Sequence, residues 1–519
     1  MEDLGWRLKT GLRPEHIPVR GMTSLMRKTC NPHHRAEDHF GRRVVIAVLF
    51  ACFAPAFQAS SPASEAKPFT VEAATKPGEP WHAYPTRTLD SLPAAVRERT
   101  DTARSQYGGW REHRLAATGY YYATNWSGRW WMVDPEGCLF LQAGVASVKM
   151  IPTPGAKAAL NSKFGNEAGW AQQTTQLLRE NGFNGFGGWS DADKLRSVTN
   201  PLPYTRLWNF MSSYGKQRGG TFQQPGHTGY PGDSIFVFDP EFEKFCDQHA
   251  RPLAADKNDP WLLGHFSDNE MPFKREALKN YLALPEKDPG HQAAAKFLNA
   301  RHGSQATSAD ITAQDEQNFL GVVSGRYFEI VSRAIKRHDP NHLFLGARFY
   351  GSDLRFPEIF KAAGPHVDVV SVNWYRAWTP EREKLDLWAR ESGRPVLITE
   401  WYAKAVDSGM GNTGGAGWLV RTQRERGLFY ENFTLALLEA PSCVGWHWFR
   451  YSDNDPADKS VDPSNRDSNK GIVNNRYEPY APLLDSMKRI NSRLYTLADY
   501  FLTSSKATAP SGSAKSEAN

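Results

Sequence analysis

The sequence predicts an α/β fold: a (β/α)8 TIM barrel with long βα loops and a short N-terminal β-rich extension. Three observations carry this. Short apolar runs recur from residue 139 to 450, amphipathic helical patterns separate them, and long polar loops follow several of them. Strands alternating with helices imply a parallel sheet whose helices cover its faces.

The expected strands are Leu139–Val145, Gly185–Trp189, Thr205–Phe210, Leu262–Asn269, Leu343–Tyr350, Val367–Tyr375, Pro395–Trp401 and Val444–Arg450. Most are continuously apolar rather than alternating, as strands buried on both faces must be. Asp315–Arg337 and Arg421–Leu438 repeat apolar residues at helical spacing, and Pro482–Leu494 supplies a closing helix. Upstream, Tyr120–Trp126 and Arg129–Asp134 read as a hairpin, followed by a turn at Pro135–Gly137. A doubly wound open sheet is the alternative, but no glycine-rich fingerprint accompanies it. Three loops, Tyr214–Asp233, Val406–Gly417 and Asp453–Lys470, follow strands and are expected to line one rim.

The expected organisation is therefore a signal-bearing extension over 1–66, a wrap and hairpin over 67–138, a catalytic barrel over 139–503 and a low-complexity, disordered tail over 504–519. Arg42-Arg43, the apolar run Val44–Phe57 and the small residues of Ala59–Ala66 form a secretory signal pattern. That apolar run is too short to span a bilayer comfortably, so no stable membrane insertion is expected once the signal is removed. Leu49–Cys52 resembles a lipoprotein box only loosely, because Phe50 is bulky where a small residue is usual. The expected destination is secreted or periplasmic.

Residues 1–43 carry nine Lys/Arg and five Asp/Glu, so 9 − 5 = +4 of the formal +6 lies there and the remainder is near neutral at 6 − 4 = +2. No basic stripe suggests nucleic acid. Cys138, Cys246 and Cys443 are widely spaced and odd in number, and no C-x-x-C pattern suggests zinc. P-loop, H-E-x-x-H and G-x-S-x-G motifs are absent, which argues against those enzyme classes. Asp453, Asp455 and Asp458 lack the glycine and distal glutamate of a calcium loop, so no metal and no cofactor is expected. Aromatics reach 12%, with 17 Trp, a composition suited to stacking on the C–H faces of sugars.

Glu270 closes the fourth run and Glu400 the seventh. Barrel enzymes place their chemistry at the C-terminal tips of strands. Two such carboxylates suit glycosidic cleavage: one stays protonated to serve the leaving oxygen, and the other faces the oxocarbenium-like centre ionised. Met271, Pro272 and Phe273 give Glu270 the apolar surroundings of the acid. Glu400 is then the nucleophile, with Arg348 and Tyr375 as candidate donors to it. Carboxyls about 5–5.5 Å apart would make the enzyme retaining, and roughly 6.5–9.5 Å inverting. For each glutamate alone, a strand-end ion pair is the bland alternative. Asp268, two residues before Glu270, shares its face under strand periodicity and is expected to support a neighbour or bind substrate.

Several segments together resemble the β-agarases of glycoside hydrolase family 50: Gly128–Gly144, Phe266–Glu270, His338–Phe349, Val367–Tyr375 and Val444–Tyr451. The Asn269-Glu270 pair with Glu400 is similar to the pattern of clan A, whose members are retaining (β/α)8 enzymes. The resemblance implies Glu270 as acid/base, Glu400 as nucleophile, Asn269 bonding the sugar 2-hydroxyl, and a galactan of the agarose type as polysaccharide partner. Another β-glucan or mannan, or sugar binding without catalysis, remains open on the residues alone. The short segment before the barrel and Trp401 directly after Glu400 depart from the family pattern. Trp189 is expected as a sugar platform. Asn373, Tyr375, Trp401, His447 and Trp448 complete the candidate substrate contacts, and His265 reads as a core histidine.

Overall fold

The structure, a computed structural model, describes residues 69–461 and 465–508. The expected signal segment and most of the expected tail lie outside them. Nine parallel segments organise the chain: β1 Gln142–Ala146, β2 Gly185–Phe186, β3 Tyr204–Leu207, β4 Leu262–Phe266, β5 Leu343–Phe344, β6 Phe349–Tyr350, β7 Val370–Asn373, β8 Val396–Glu400 and β9 Cys443–Phe449. Six form one sheet in the order β6-β7-β8-β9-β1-β2, and three form another in the order β5-β4-β3. Backbone hydrogen bonds link the two sheets at both margins, from Phe186 N to Pro203 O at 2.8 Å and from Asp368 N to Phe344 O at 2.9 Å.

The expected fifth strand is thus two pieces. Gly346 and Arg348 between them have φ of 77° and 53°, which interrupts the ladder. The second strand is shorter than expected, and two glycines follow it: a Cβ on Gly187 would sit 2.5 Å from His447 Nδ1, and one on Gly188 3.2 Å from Arg348 Nη1. These glycines let the backbone pass close to buried side chains while still bonding to β1, Gly187 N donating to Val145 O and Gly188 O accepting from Ser147 N, both at 2.8 Å.

Helices follow most of the strands. The longest, Ala313–His338, begins at a capping box in which Thr312 and Asp315 satisfy each other's backbone. Thr422 and Glu425 do the same for Gln423–Glu439, a helix buried on most of its surface and packed on β9. The closing helix is Ala481–Asn491, and Leu494–Thr508 continues past Ser504, where the tail was expected to start.

The hairpin forms as Tyr122–Trp126 against Arg129–Val133. Ser127 and Gly128 at its tip have φ of 56° and 86°, the signature of a type I′ turn. With Trp110–Arg114 and Cys138–Phe140 these strands make a four-stranded antiparallel sheet. Arg129 ties it to the first residue of β9, donating to Cys443 O at 3.0 Å and to Leu438 O at 2.6 Å. That is the opposite end of the strand from the catalytic candidates. The polar segment after residue 67 is anchored, with Val71, Ala73 and Ala74 buried and Ala74 bridging to Leu419. Tyr214–Asp233 is not simply a loop: it holds the end of helix Phe210–Arg218 and a hairpin, Phe222–Gln224 with His227–Gly229. Cys138, Cys246 and Cys443 are buried free thiols. No helix among the described residues is long and apolar enough to cross a membrane.

Candidate active site

The C-terminal ends of the parallel segments are where the backbone is least regular. Ser147, Trp189, Glu270, Arg348 and Arg376 follow β1, β2, β4, β5 and β7, and all have φ between 52° and 65°. Left-handed non-glycine residues cost on the order of 1–3 kcal/mol each and gather at functional sites. Here the turn redirects side chains. Asp268 and Glu270 do not share a face, because the positive φ at Glu270 breaks the strand alternation. Asp268 points into the core, where it accepts from Met211 N at 2.9 Å, Ser212 N at 3.2 Å and Tyr327 Oη at 2.6 Å. It therefore anchors the start of helix Phe210–Arg218 rather than binding substrate, and burial raises its pKa to about 6.

Glu270 turns into a cavity of about 720 Å³ that Glu400 also lines. Both carboxylates are almost fully buried, with 8% and 7% of their side-chain surface exposed. Their surroundings differ. Glu400 Oε1 accepts from Arg348 Nη2 at 2.6 Å, and its Oε2 accepts from the Tyr375 hydroxyl at 2.6 Å. Both oxygens are thus occupied as acceptors, one by a permanent cation. Burial and the charge of Glu400 push the Tyr375 phenol well above its ordinary pKa, so it stays a donor. Glu270 receives one neutral bond, from Asn373 Nδ2 to Oε1 at 2.8 Å. Burial first, and the nearby Glu400 second, push its pKa from 4.5 up to about 8. A carboxyl raised by burial beside a second one held by a cation is the arrangement an acid–nucleophile pair requires.

Asn373 is the hinge between them. It is fully buried, accepts from Thr399 Oγ1 at 2.7 Å, and donates to Asn269 Oδ1 at 3.1 Å as well as to Glu270. It positions Glu270 and does not face the cavity. Asn269 and Trp189 do line the cavity, and Arg348 lies beneath the Trp189 ring, 5.7 Å from its centroid.

Three further expectations change. Trp401 is buried between β8 and helix Gln423–Glu439, stacked on Phe433 at 4.0 Å between ring centroids. Trp448 lies on the same side, its indole donating to Lys470 O at 3.0 Å. His447, on the opposite face of β9, is buried beneath the site, bonded to Gln142 Oε1 at 2.7 Å. Burial and the Arg348 charge lower its pKa to about 3, so it is a neutral floor for the arginine. None of the three lines the cavity. Alternation in a strand buried on both faces sends Trp446 and Trp448 toward the helix layer and His447 inward; the inward set reaches the cavity only at the end of the strand, through Phe449. His265 is the expected core histidine, bonded to Asp339 Oδ2 at 2.8 Å and to Trp208 Nε1 at 3.0 Å. Asp453 is likewise structural, accepting from Asn469 Nδ2, Gly471 N and Tyr480 Oη.

Sequence reasoning missed Tyr350, Tyr402 and Phe449 on the cavity wall, and Lys76, Lys149, Arg376, Arg450 and Lys470 around it. It also missed His227, whose Nδ1 stands 3.9 Å from Glu270 Oε2. All three expected rim loops contribute, through Gly226, Thr413–Ala416, and Asn454, Ser460, Val461, Asn465 and Lys470.

No family model matches the chain. It is 26% identical to Beta-agarase B of Vibrio sp. (strain JT0107) over 501 residues, covering 76% of this chain and 50% of that protein. Beta-agarase A of the same strain is 26% identical over 387 residues, covering 65% and 37%. The chain thus spans half or less of the length of these curated relatives. Against the crystal structure of BpGH50 it superposes with a TM-score of 0.72 at 30% identity, covering 84% of this chain and 96% of that one. The chain belongs to glycoside hydrolase family 50. An exo-beta-agarase structure shares the fold, with a TM-score of 0.64 at 22% identity over 79% of this chain and 71% of that one. In this family 50 chain the mixed α/β fold is therefore the family's own.

The Arg348–Glu400 pair makes a measurable demand on stability. Arg348→Met would leave Glu400 buried without its cation, beside a second carboxyl group. Breaking a buried pair in this way costs about 3–5 kcal/mol. Urea denaturation at pH 7 should show that loss, and it should shrink in acid, where protonation removes the buried charge. A variant as stable as wild type at pH 7 would mean the pair is solvated and the site more open than described.

Proposed function

We propose that the chain is a retaining glycoside hydrolase acting on β-galactosidic bonds of an agarose-type galactan, built on a (β/α)8 barrel. The observation that carries this is one cavity lined by two carboxylates of unlike surroundings. Hydrogen bonds at both margins between the parallel sheets support closure into a barrel. Family membership and the β-agarase names of the relatives support the substrate class.

In this reading the sugar lies with its anomeric carbon between the two groups. Glu400 attacks that carbon while Glu270 gives its proton to the departing oxygen, leaving a glycosyl ester on Glu400. Glu270, now ionised, takes a proton from water, which displaces Glu400 and restores both groups. Arg348 and Tyr375 hold Glu400 in place throughout and stabilise it as a leaving carboxylate. Asn373 fixes the direction of Glu270, and Asn269 bonds the sugar 2-hydroxyl. Trp189 offers its face to a neighbouring sugar ring. The reading assigns residues 139–503 to the barrel and the segment around 42–66 to a secretory signal, giving a secreted or periplasmic enzyme.

The test is hydrolysis of agarose, a mixed β-glucan and a β-mannan, followed by reducing-sugar release and by the anomer of the first product in NMR. Galactan cleavage with β-anomer product is expected. An α-anomer would convert Glu400 into the base of an inverting enzyme. Cleavage of glucan or mannan alone would move the substrate, and binding without turnover of any of them would leave a sugar-binding protein.

A further inference from the structure

The cavity is far more cationic than the rest of the chain. Lys76, Lys149, Arg376, Arg450 and Lys470 line it, against two carboxylates, Glu270 and Glu400. Residues 44–519 together carry a formal excess of only +2, so positive charge is concentrated here rather than spread over the surface. It comes from unrelated segments: the N-terminal segment just after Ala74, the ends of β1, β7 and β9, and the rim loop before residue 471.

Among the described residues, Lys76, Lys149, Arg376 and Arg450 make no ion pair. Arg450 is the sharpest case. It is 8% exposed, its Nε is buried without a hydrogen-bond partner, and its Nη1 meets the Asn454 side-chain oxygen, at 3.2 Å, only with that amide turned over. A buried guanidinium with an unmet donor is costly unless something arrives to meet it. Asp453, Asp458 and Glu400 lie near enough to offset part of the Arg450 charge, but the hydrogen bonds of the neighbouring aspartates go elsewhere: Asp453 to Asn469, Gly471 and Tyr480, Asp455 to Thr153, and Asp458 to Ser460. Lys470 is bonded to Asn465 and lies 5.1 Å from the centre of the Tyr402 ring, so its ammonium is held at the wall. A neutral galactan offers hydroxyls, which need no such excess of charge. A galactan with negative substituents would complete it, because charge-assisted bonds to guanidinium and ammonium groups are the stronger ones.

We propose that the substrate is an anionic galactan, whose sulfate ester or carboxylate groups are received by Arg450, Arg376 and Lys149, with Lys76 at the mouth. This rests on the galactanase reading above and narrows it. Turnover is unchanged in its chemistry; the cations set which sugar is held beside Glu270 and Glu400.

The test uses the full chain carrying Glu270→Gln, so that binding is read without hydrolysis. Calorimetry compares oligosaccharides of neutral agarose, of a sulfated galactan, of the same galactan after desulfation, and of a galacturonate-containing galactan. At least one charged ligand should bind about tenfold or more tightly than the neutral ones, the scale of one charge-assisted bond. The sulfated and uronate arms identify which group is read. The advantage should fall steeply in high salt. Adding Arg450→Gln should cut the charged-to-neutral ratio about tenfold. Because that side chain is buried, the exposed pair Arg376→Gln with Lys149→Gln provides an independent reduction of the same ratio. Neutral ligands binding as tightly as charged ones, or a ratio untouched in both variants, would overturn the proposal. Wild-type cleavage of neutral agarose in that event would leave the galactanase reading standing. Neither binding nor cleavage of any galactan would remove both.

Discussion

Glu400→Gln should lower kcat on the order of 10⁴-fold or more, the scale on which loss of a covalent nucleophile is felt. The amide is isosteric, and its oxygen still accepts from Arg348 or Tyr375, so folding and substrate binding should persist. What disappears is the group proposed to form the glycosyl ester. A second consequence separates a nucleophile from a mere strand-end ion pair. The charge of Glu400 is the second-largest cause holding the Glu270 pKa up, after burial. Removing it should lower the Glu270 pKa, visible as a shifted carboxyl band in difference infrared spectra across a pH series. A variant retaining activity within tenfold of wild type would defeat the catalytic assignment. An unchanged Glu270 titration would place the two groups too far apart to work on one bond.

What the sequence disclosed and what it hid follow from the kind of signal each residue carries. Apolar runs with punctuated ends marked the parallel segments, and both glutamates were visible because each interrupts such a run at its C-terminal end. Arg348 and Tyr375 were legible for the same reason, as polar residues ending apolar strands, and the structure gives both to Glu400. Periodicity failed where the backbone leaves it. The left-handed turn at Glu270 separates it from Asp268, and nothing in FSDNE announces that turn. Trp401 and Trp448 misled because a strand apolar on both faces does not say which face meets the helices. The cavity cations were unreadable one by one. Lys76, Lys149, Arg376 and Arg450 come from segments without shared periodicity, and only the fold makes them neighbours.

Glu270→Gln should cost about 10²–10⁴-fold in kcat on a sugar leaving group, the contribution of a general acid. On an aryl glycoside whose phenolate leaves unaided, glycosylation needs no proton, so the first step should be largely spared. The pH dependence should change with it. Wild-type kcat should hold to near pH 8 and fall above it, because the acid form is lost there; the variant should lack that limb. Stability should move the other way. A carboxyl whose folded pKa lies above its ordinary 4.5 binds more protons in the native state than in the unfolded chain between those values. The native protein therefore loses stability as pH rises from 4.5 toward 8, when the unfolded chain ionises freely and the buried group resists. Glutamine carries no such burden, so the variant's Tm should exceed that of wild type at pH 9 and converge with it near pH 4. A variant less stable than wild type at pH 9 would show that the Glu270 carboxylate is welcomed by its surroundings, and a group so accommodated would be too weak a proton donor at neutral pH to serve as the acid.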